Sequence, residues 1–223
     1  LGCFNLGGST SSAPLLEQSL REFQLGDGGG PGALIAWNLE SYKRRQEKLG
    51  EVLELWFKEE HEHSRLLGEL LTRYGVSPIE SHWSFWLFCF LRRWLGIGFE
   101  LQILTLTELS STAYYRLLRK YSVDLPAIDV FSLILRDESG HLAFQCDRLA
   151  CEGAPVSGFR GLWWSTQFWF CGMAAASVLY ASHGKCLREM GASRAAFYRE
   201  AHQQFCRFLV RLRNRVKRKD KGI

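Results

Sequence analysis

A chain of 223 residues can bury one sizeable core, and only five prolines leave room for long uninterrupted helices. No convincing stretch alternates with period two, so β-architectures are excluded and the expected class is all-α. The net charge of +5 is gathered near the C-terminal end, in Arg211, Arg213, Arg215, Lys217, Arg218, Lys219 and Lys221. No aromatic residue interleaves with these charges, which argues against a nucleic-acid partner and fits a solvated helix end.

Residues 1–13 are Gly/Ser-rich and are expected to form a disordered arm; the first residue is Leu rather than Met, as in a fragment or a trimmed chain. A helical segment is predicted from Leu15 to Leu25, with Leu16, Leu20 and Phe23 near one face. The run Gly26-Asp27-Gly28-Gly29-Gly30-Pro31-Gly32 should weaken or break it, and helical character resumes from Ala33 to about Tyr42. After a charged connection at 43–48, a long helix runs from about Glu51 to Tyr74 and is stopped by Gly75 and Pro78. Its apolar positions Leu53, Trp56, Phe57, Leu67, Leu70 and Leu71 keep a helical spacing.

An aromatic segment follows at 81–95. Further helices are predicted over Phe99 to about Lys120, Ala127 to Cys151 and Ser193 to Val216. Residues 161–182 contain no charge. They read as a helix buried against the rest of the protein or at a homodimer interface, with a peripheral membrane contact as the alternative and a full span the least favoured. The seven cysteines are scattered and none stands in a Cys-x-x-Cys pair, so free thiols and a cytoplasmic setting are expected.

The chemistry is carried by two copies of Glu-x-x-His, Glu60-His61-Glu62-His63 and Glu138-Ser139-Gly140-His141, each on a predicted helix. Positions i and i+3 share a helix face, so each pair can grip one ion. Glu108 and Glu138 lie about fifteen residues on either side of the short connection centred near Val123, which puts them at one height of an antiparallel helix pair. Glu100 lies two turns too far along. The first half needs a carboxylate near residues 28–32; Asp27 is close, Glu22 is the alternative, and a missing ligand is the third reading. One motif alone would read as a hydrogen-bonded core histidine. Two motifs with Glu108 at matching height favour a metal site, since buried carboxylates demand a counter-charge.

Glu60-x-x-His63, Glu108 with Tyr114-Tyr115 beyond it, and Asp137-Glu138-Ser-Gly-His141 resemble the ferritin-like superfamily over about residues 15–151. The resemblance implies a ferritin-like antiparallel four-helix bundle with additional C-terminal helices. It would comprise residues 14–155, with packed helices at 156–216 and a basic tail at 217–223. It also implies two iron ions, or manganese, with Glu60 and Glu138 bridging, His63 and His141 as terminal nitrogen ligands, and Glu108 and a first-helix residue such as Asp27 as terminal carboxylates. A di-iron oxidase or oxygenase acting with O₂ on a small or lipophilic substrate is the expected function. Trp56, Phe57, Phe131 and Phe144 are expected to line an apolar cavity, with Tyr114 or Tyr115 as a redox relay or a core residue. The alternatives are a metal-binding, ferroxidase-type protein without an organic substrate and a degenerate ferritin-like scaffold. No Gly-rich phosphate loop, Gly-x-Ser-x-Gly or Cys–His nucleophile pair is present.

Overall fold

The computed structural model describes residues 13–28, 34–43 and 49–220. Among them there are eight helices and no strand: α1 (Ala13–Gly28), α2 (Leu39–Lys43), α3 (Leu49–Arg73), α4 (Trp83–Trp94), α5 (Ile97–Tyr121), α6 (Leu125–Cys151), α7 (Gly158–Glu189) and α8 (Arg194–Asp220). The all-α class expected from the sequence is what is found. The expected disordered arm lies almost wholly outside the described residues, as do 29–33 and 44–48. The chain divides into two units, one built from residues up to Leu104 with Ser122–Val130, the other from Thr105–Tyr121 with Phe131 onward. The long helices α5 and α6 each contribute a segment to both.

In the first unit α1 packs against α3. Leu16, Leu20 and Phe23 are buried on α1, and Leu53, Trp56, Leu67, Leu70 and Leu71 on α3, as their spacing requires. The glycines at 26 and 28 do not break α1, which continues through Asp27. At the other end of α3, Gly75 takes φ +75° and the Val76 N–H bonds the Leu71 carbonyl at 3.0 Å, closing the helix in a left-handed cap. The connection between α5 and α6 is tied down by Asp124, which accepts hydrogen bonds from the Tyr74 hydroxyl at 2.9 Å and from Arg73 at 3.5 Å. Burial and this carboxylate together push the Tyr74 phenol well above its ordinary pKa.

The helix expected from Ala33 is reduced to the five residues of α2. Its would-be first turn is taken by Glu100, whose carboxylate accepts the backbone N–H groups of Ile35 at 2.9 Å and Ala36 at 2.8 Å. Arg92, also buried, pairs with the same carboxylate at 2.9 Å. Asn38 then accepts the Ile97 N–H at 2.8 Å, so this extended stretch serves the opening turn of α5. Helix α4 exposes Trp83, Trp86, Phe90 and Trp94, which fall along one of its faces.

In the second unit α7 packs against α8. Phe168, Gly172, Ala176 and Tyr180 form a buried stripe at intervals of four, apposed to α8 with its buried Phe197, Ala201, Phe205 and Phe208. A Cβ on Gly172 would stand 2.2 Å from the Phe205 ring, so only glycine lets the two helices close this far. The uncharged segment is thus buried along one face, while Phe159, Leu162, Trp163, Phe170 and Val178 are exposed. Among the described residues no helix is long and apolar enough to cross a membrane. The basic end of α8 is partly consumed by α6: Arg215 pairs with Asp147 at 2.8 Å, and Lys219 donates to the Cys151 carbonyl at 3.2 Å, one of the orphan carbonyls of that helix end.

Replacing Arg92 with Met leaves the Glu100 carboxylate buried without its cation and should cost about 3–5 kcal/mol in chemical denaturation, much of it recovered in the Arg92→Met/Glu100→Gln double variant. Burial pushes the thiols of Cys146 and Cys186 up to about 11, whereas Cys151 and Cys171 are exposed. At about pH 8 a thiol of that pKa is on the order of a thousandth thiolate, so iodoacetamide should label Cys151 and Cys171 at least about tenfold faster, as read by peptide mass spectrometry.

Candidate metal centre

Each unit carries one carboxylate–imidazole triad. In the first, Trp56, Glu60 and His63 follow one face of α3 between Leu53 and Leu67, so the helix periodicity that buries the leucines also draws in the polar pair. His63 is only 1% exposed, and its Nδ1 lies 3.7 Å from Glu60 Oε2. The Trp56 indole N–H donates to the other oxygen, Glu60 Oε1, at 2.9 Å and holds the carboxylate in place. Asp27 joins them from the last turn of α1, and one ligand atom each of Asp27, Glu60 and His63 lies within 4.8 Å of the others.

A glycine accounts for Asp27 reaching so far. A Cβ on Gly28 would stand 2.1 Å from Ser64 Oγ and 2.5 Å from Ser64 Cβ, so α1 can lie this close to α3 only because that atom is missing. Ser64 is bound to α1 twice, accepting from Gln24 Nε2 at 3.0 Å and donating to the Gln24 carbonyl at 2.9 Å. Of the first-helix alternatives the structure brings in Asp27; Glu22 accepts a hydrogen bond from Gln18, one turn earlier, at 2.7 Å.

In the second unit Glu108 on α5 meets Glu138 and His141 on α6. His141 Nδ1 lies 3.4 Å from Glu108 Oε2 and 3.8 Å from Glu138 Oε2. All three residues are buried, and their ligand atoms fall within the same 4.8 Å limit. The connection spans residues 122–124, so Glu108 and Glu138 are equally far from its centre and stand at one height. Arg148, buried on the same helix, is engaged by Gln145 at 2.9 Å and Glu152 at 2.7 Å. Arg136 reaches Asp137. Glu100 is spoken for by Arg92 and two amides, an assignment that spacing alone could not make.

Two carboxylates and one imidazole on converging helices are hard and borderline donors suited to a divalent transition metal, and their burial makes a cation the natural compensation. Either triad could hold a metal ion. Of the remaining histidines, His61 is exposed on the opposite side of α3. His183 sits within α7, with its ring 5.5 Å from that of Tyr114.

His202 and Cys206 lie one turn apart on α8, with Sγ 3.6 Å from Nε2. The Trp169 indole N–H donates to His202 Nδ1 at 3.1 Å, which leaves the imidazole proton on Nε2 facing the sulfur. In that tautomer His202 is a donor to Cys206, not a base for it.

No family model, curated protein or solved structure matches this chain.

Gly28→Ala should force α1 away from Ser64, costing about 1–3 kcal/mol and withdrawing Asp27 from its triad. Ser64→Gly in the same chain should recover part of that loss in urea titration, because it removes both atoms the new methyl would strike.

Proposed function

We propose that the chain is a ferritin-like di-metal protein that uses O₂ to oxidise, hydroxylate or desaturate a small or lipophilic organic substrate. Asp27, Glu60 and His63 hold one iron ion and Glu108, Glu138 and His141 a second, with manganese as the alternative metal. The observation that carries this reading is the repetition. Each Glu-x-x-His has its imidazole buried, and each has recruited one further carboxylate from a separate helix. A helix surface yields a single Glu–His neighbour pair easily, but two completed triads answer to a common chemical demand.

Iron in such a donor set supplies the electrons that reduce O₂. The protein's own part is to orient and to exclude water. Trp56 fixes one oxygen of Glu60, leaving the other directed towards His63. Tyr114 and Tyr115 are fully buried beyond Glu108 on α5, and the Tyr115 ring lies 6.0 Å from that of Phe131. The Tyr114 hydroxyl is engaged with Cys186. Trp56 and Phe57 stack on each other at 5.4 Å, and Phe131 packs as solid core.

Anaerobic Fe(II) loading followed by elemental analysis tests the reading. About two irons per chain are expected, as in di-iron bundles, with the content falling in Glu138→Ala and His141→Ala and about one ion lost in Asp27→Ala. Circular dichroism checks that each variant stays helical. Absence of iron from the folded parent protein would sink the metal reading and leave a scaffold. Iron uptake with O₂ consumption but no oxidised product across a panel of organic substrates would point to a ferroxidase-type protein.

A further inference from the structure

Helices α5, α6 and α8 line an open cleft of about 310 Å³ in the second unit, and no acidic residue lines it. Five guanidinium groups do: Arg116 and Arg119 from α5, Arg136 from α6, and Arg207 and Arg211 from α8. Arg116 is paired with Glu200 at 2.7 Å and Arg136 with Asp137 at 2.9 Å. Arg119, Arg207 and Arg211 ion-pair with no carboxylate among the described residues. Like charges one turn apart, as Arg207 and Arg211 are, repel each other. Gathered round one concave surface, they raise a positive potential that concentrates anions.

A second observation points the same way. Thr112 lines this cleft and is 6% exposed, yet its buried Oγ1 has no hydrogen-bond partner. A helical threonine ordinarily returns its hydroxyl to the carbonyl one turn back, so an unused hydroxyl here is a donor waiting for an acceptor. The Ser139 hydroxyl on α6 is spent on the Arg136 carbonyl at 2.6 Å, while Leu109, Leu142 and Phe208 supply apolar surface.

We propose that this cleft binds a phosphorylated ligand with an apolar part. A terminal phosphate would sit against the guanidiniums and the Thr112 hydroxyl, and the apolar part against Leu109, Leu142 and Phe208. Phosphate is favoured over a single carboxylate because three guanidiniums remain after the two ion pairs, and a group with two charges and three acceptor oxygens can satisfy them. The site shares no residue with the metal triads, so it stands or falls independently of the iron reading.

Calorimetric titration of the whole chain in EDTA, at about physiological salt, with 1-naphthyl phosphate and with inorganic phosphate, tests it. One naphthyl phosphate per chain is expected, bound more tightly than inorganic phosphate. Arg207→Gln/Arg211→Gln should weaken it at least about tenfold, whereas the charge-matched Arg213→Gln/Arg218→Gln, outside the cleft, should change it less than about twofold. Thr112→Val should weaken binding a few-fold with an unchanged melting temperature. If phosphatidic acid vesicles compete for the same arginines, the phosphate belongs to a lipid headgroup; if they do not, it belongs to a free small molecule. Failure to saturate at millimolar ligand, or equal loss in both arginine pairs, would overturn the proposal.

Discussion

Glu100, Glu108 and Glu138 are at most 7% exposed, and a carboxylate taken that far from water has to be compensated or neutralised. Glu100 and Glu108 lie two turns apart on the same helix and meet the demand by different means. Glu100 is answered by a guanidinium and two backbone amides, a closed arrangement that ties the segment before α2 to α4 and α5. Glu108 is answered by an imidazole, beside a second carboxylate. The first set of partners is complete without an ion, and the second has the donor chemistry of a cation site. Much of the local architecture follows from that difference, including the loss of a helical turn at residues 35 and 36.

The close approach of helices depends on missing side-chain atoms. Gly28 lets the end of α1 lie on Ser64, and Gly172 lets α7 close on the Phe205 ring. Each glycine gives up helix propensity and gains an interhelical contact that no larger residue permits. At Gly28 the consequence is chemical as well as mechanical, because the neighbouring residue is Asp27. Gly26 and Gly28, which read as helix breakers, flank the turn that carries Asp27 and docks on α3.

In the second unit α5 and α6 carry two different chemistries on different faces. Glu108 belongs to the carboxylate–imidazole triad, and Leu109 lines the arginine cleft; Glu138 and Ser139 repeat the pattern on α6. One residue along a helix is a rotation of about 100°, enough to separate an acidic cluster from a basic one. The buried packing of Tyr115 on Phe131 keeps the two helices in register between them. The charge of α8, which as a sequence suggests a uniform basic tail, is divided by position. Arg207 and Arg211 line the cleft, and Arg215 and Lys219 are drawn to the end of α6.

By itself the sequence determined the all-α class, most helix spans and the two Glu-x-x-His pairs. Those features rest on periodicity and on contacts three or four residues apart, which a helix imposes wherever it forms. It also determined Glu108 as the partner of Glu138, because an antiparallel pair with a three-residue connection equates distance along the chain with height. Tertiary structure decided the rest. Asp27 rather than Glu22 joins the first triad because Gly28 meets Ser64, a contact between residues 36 positions apart. Glu100 became structural because Arg92 and the amides of Ile35 and Ala36 converge on it from other elements. The arginine cleft draws on three helices, and no window of sequence contains it. Long-range convergence of this kind depends on which helix faces meet, and local spacing carries no record of that.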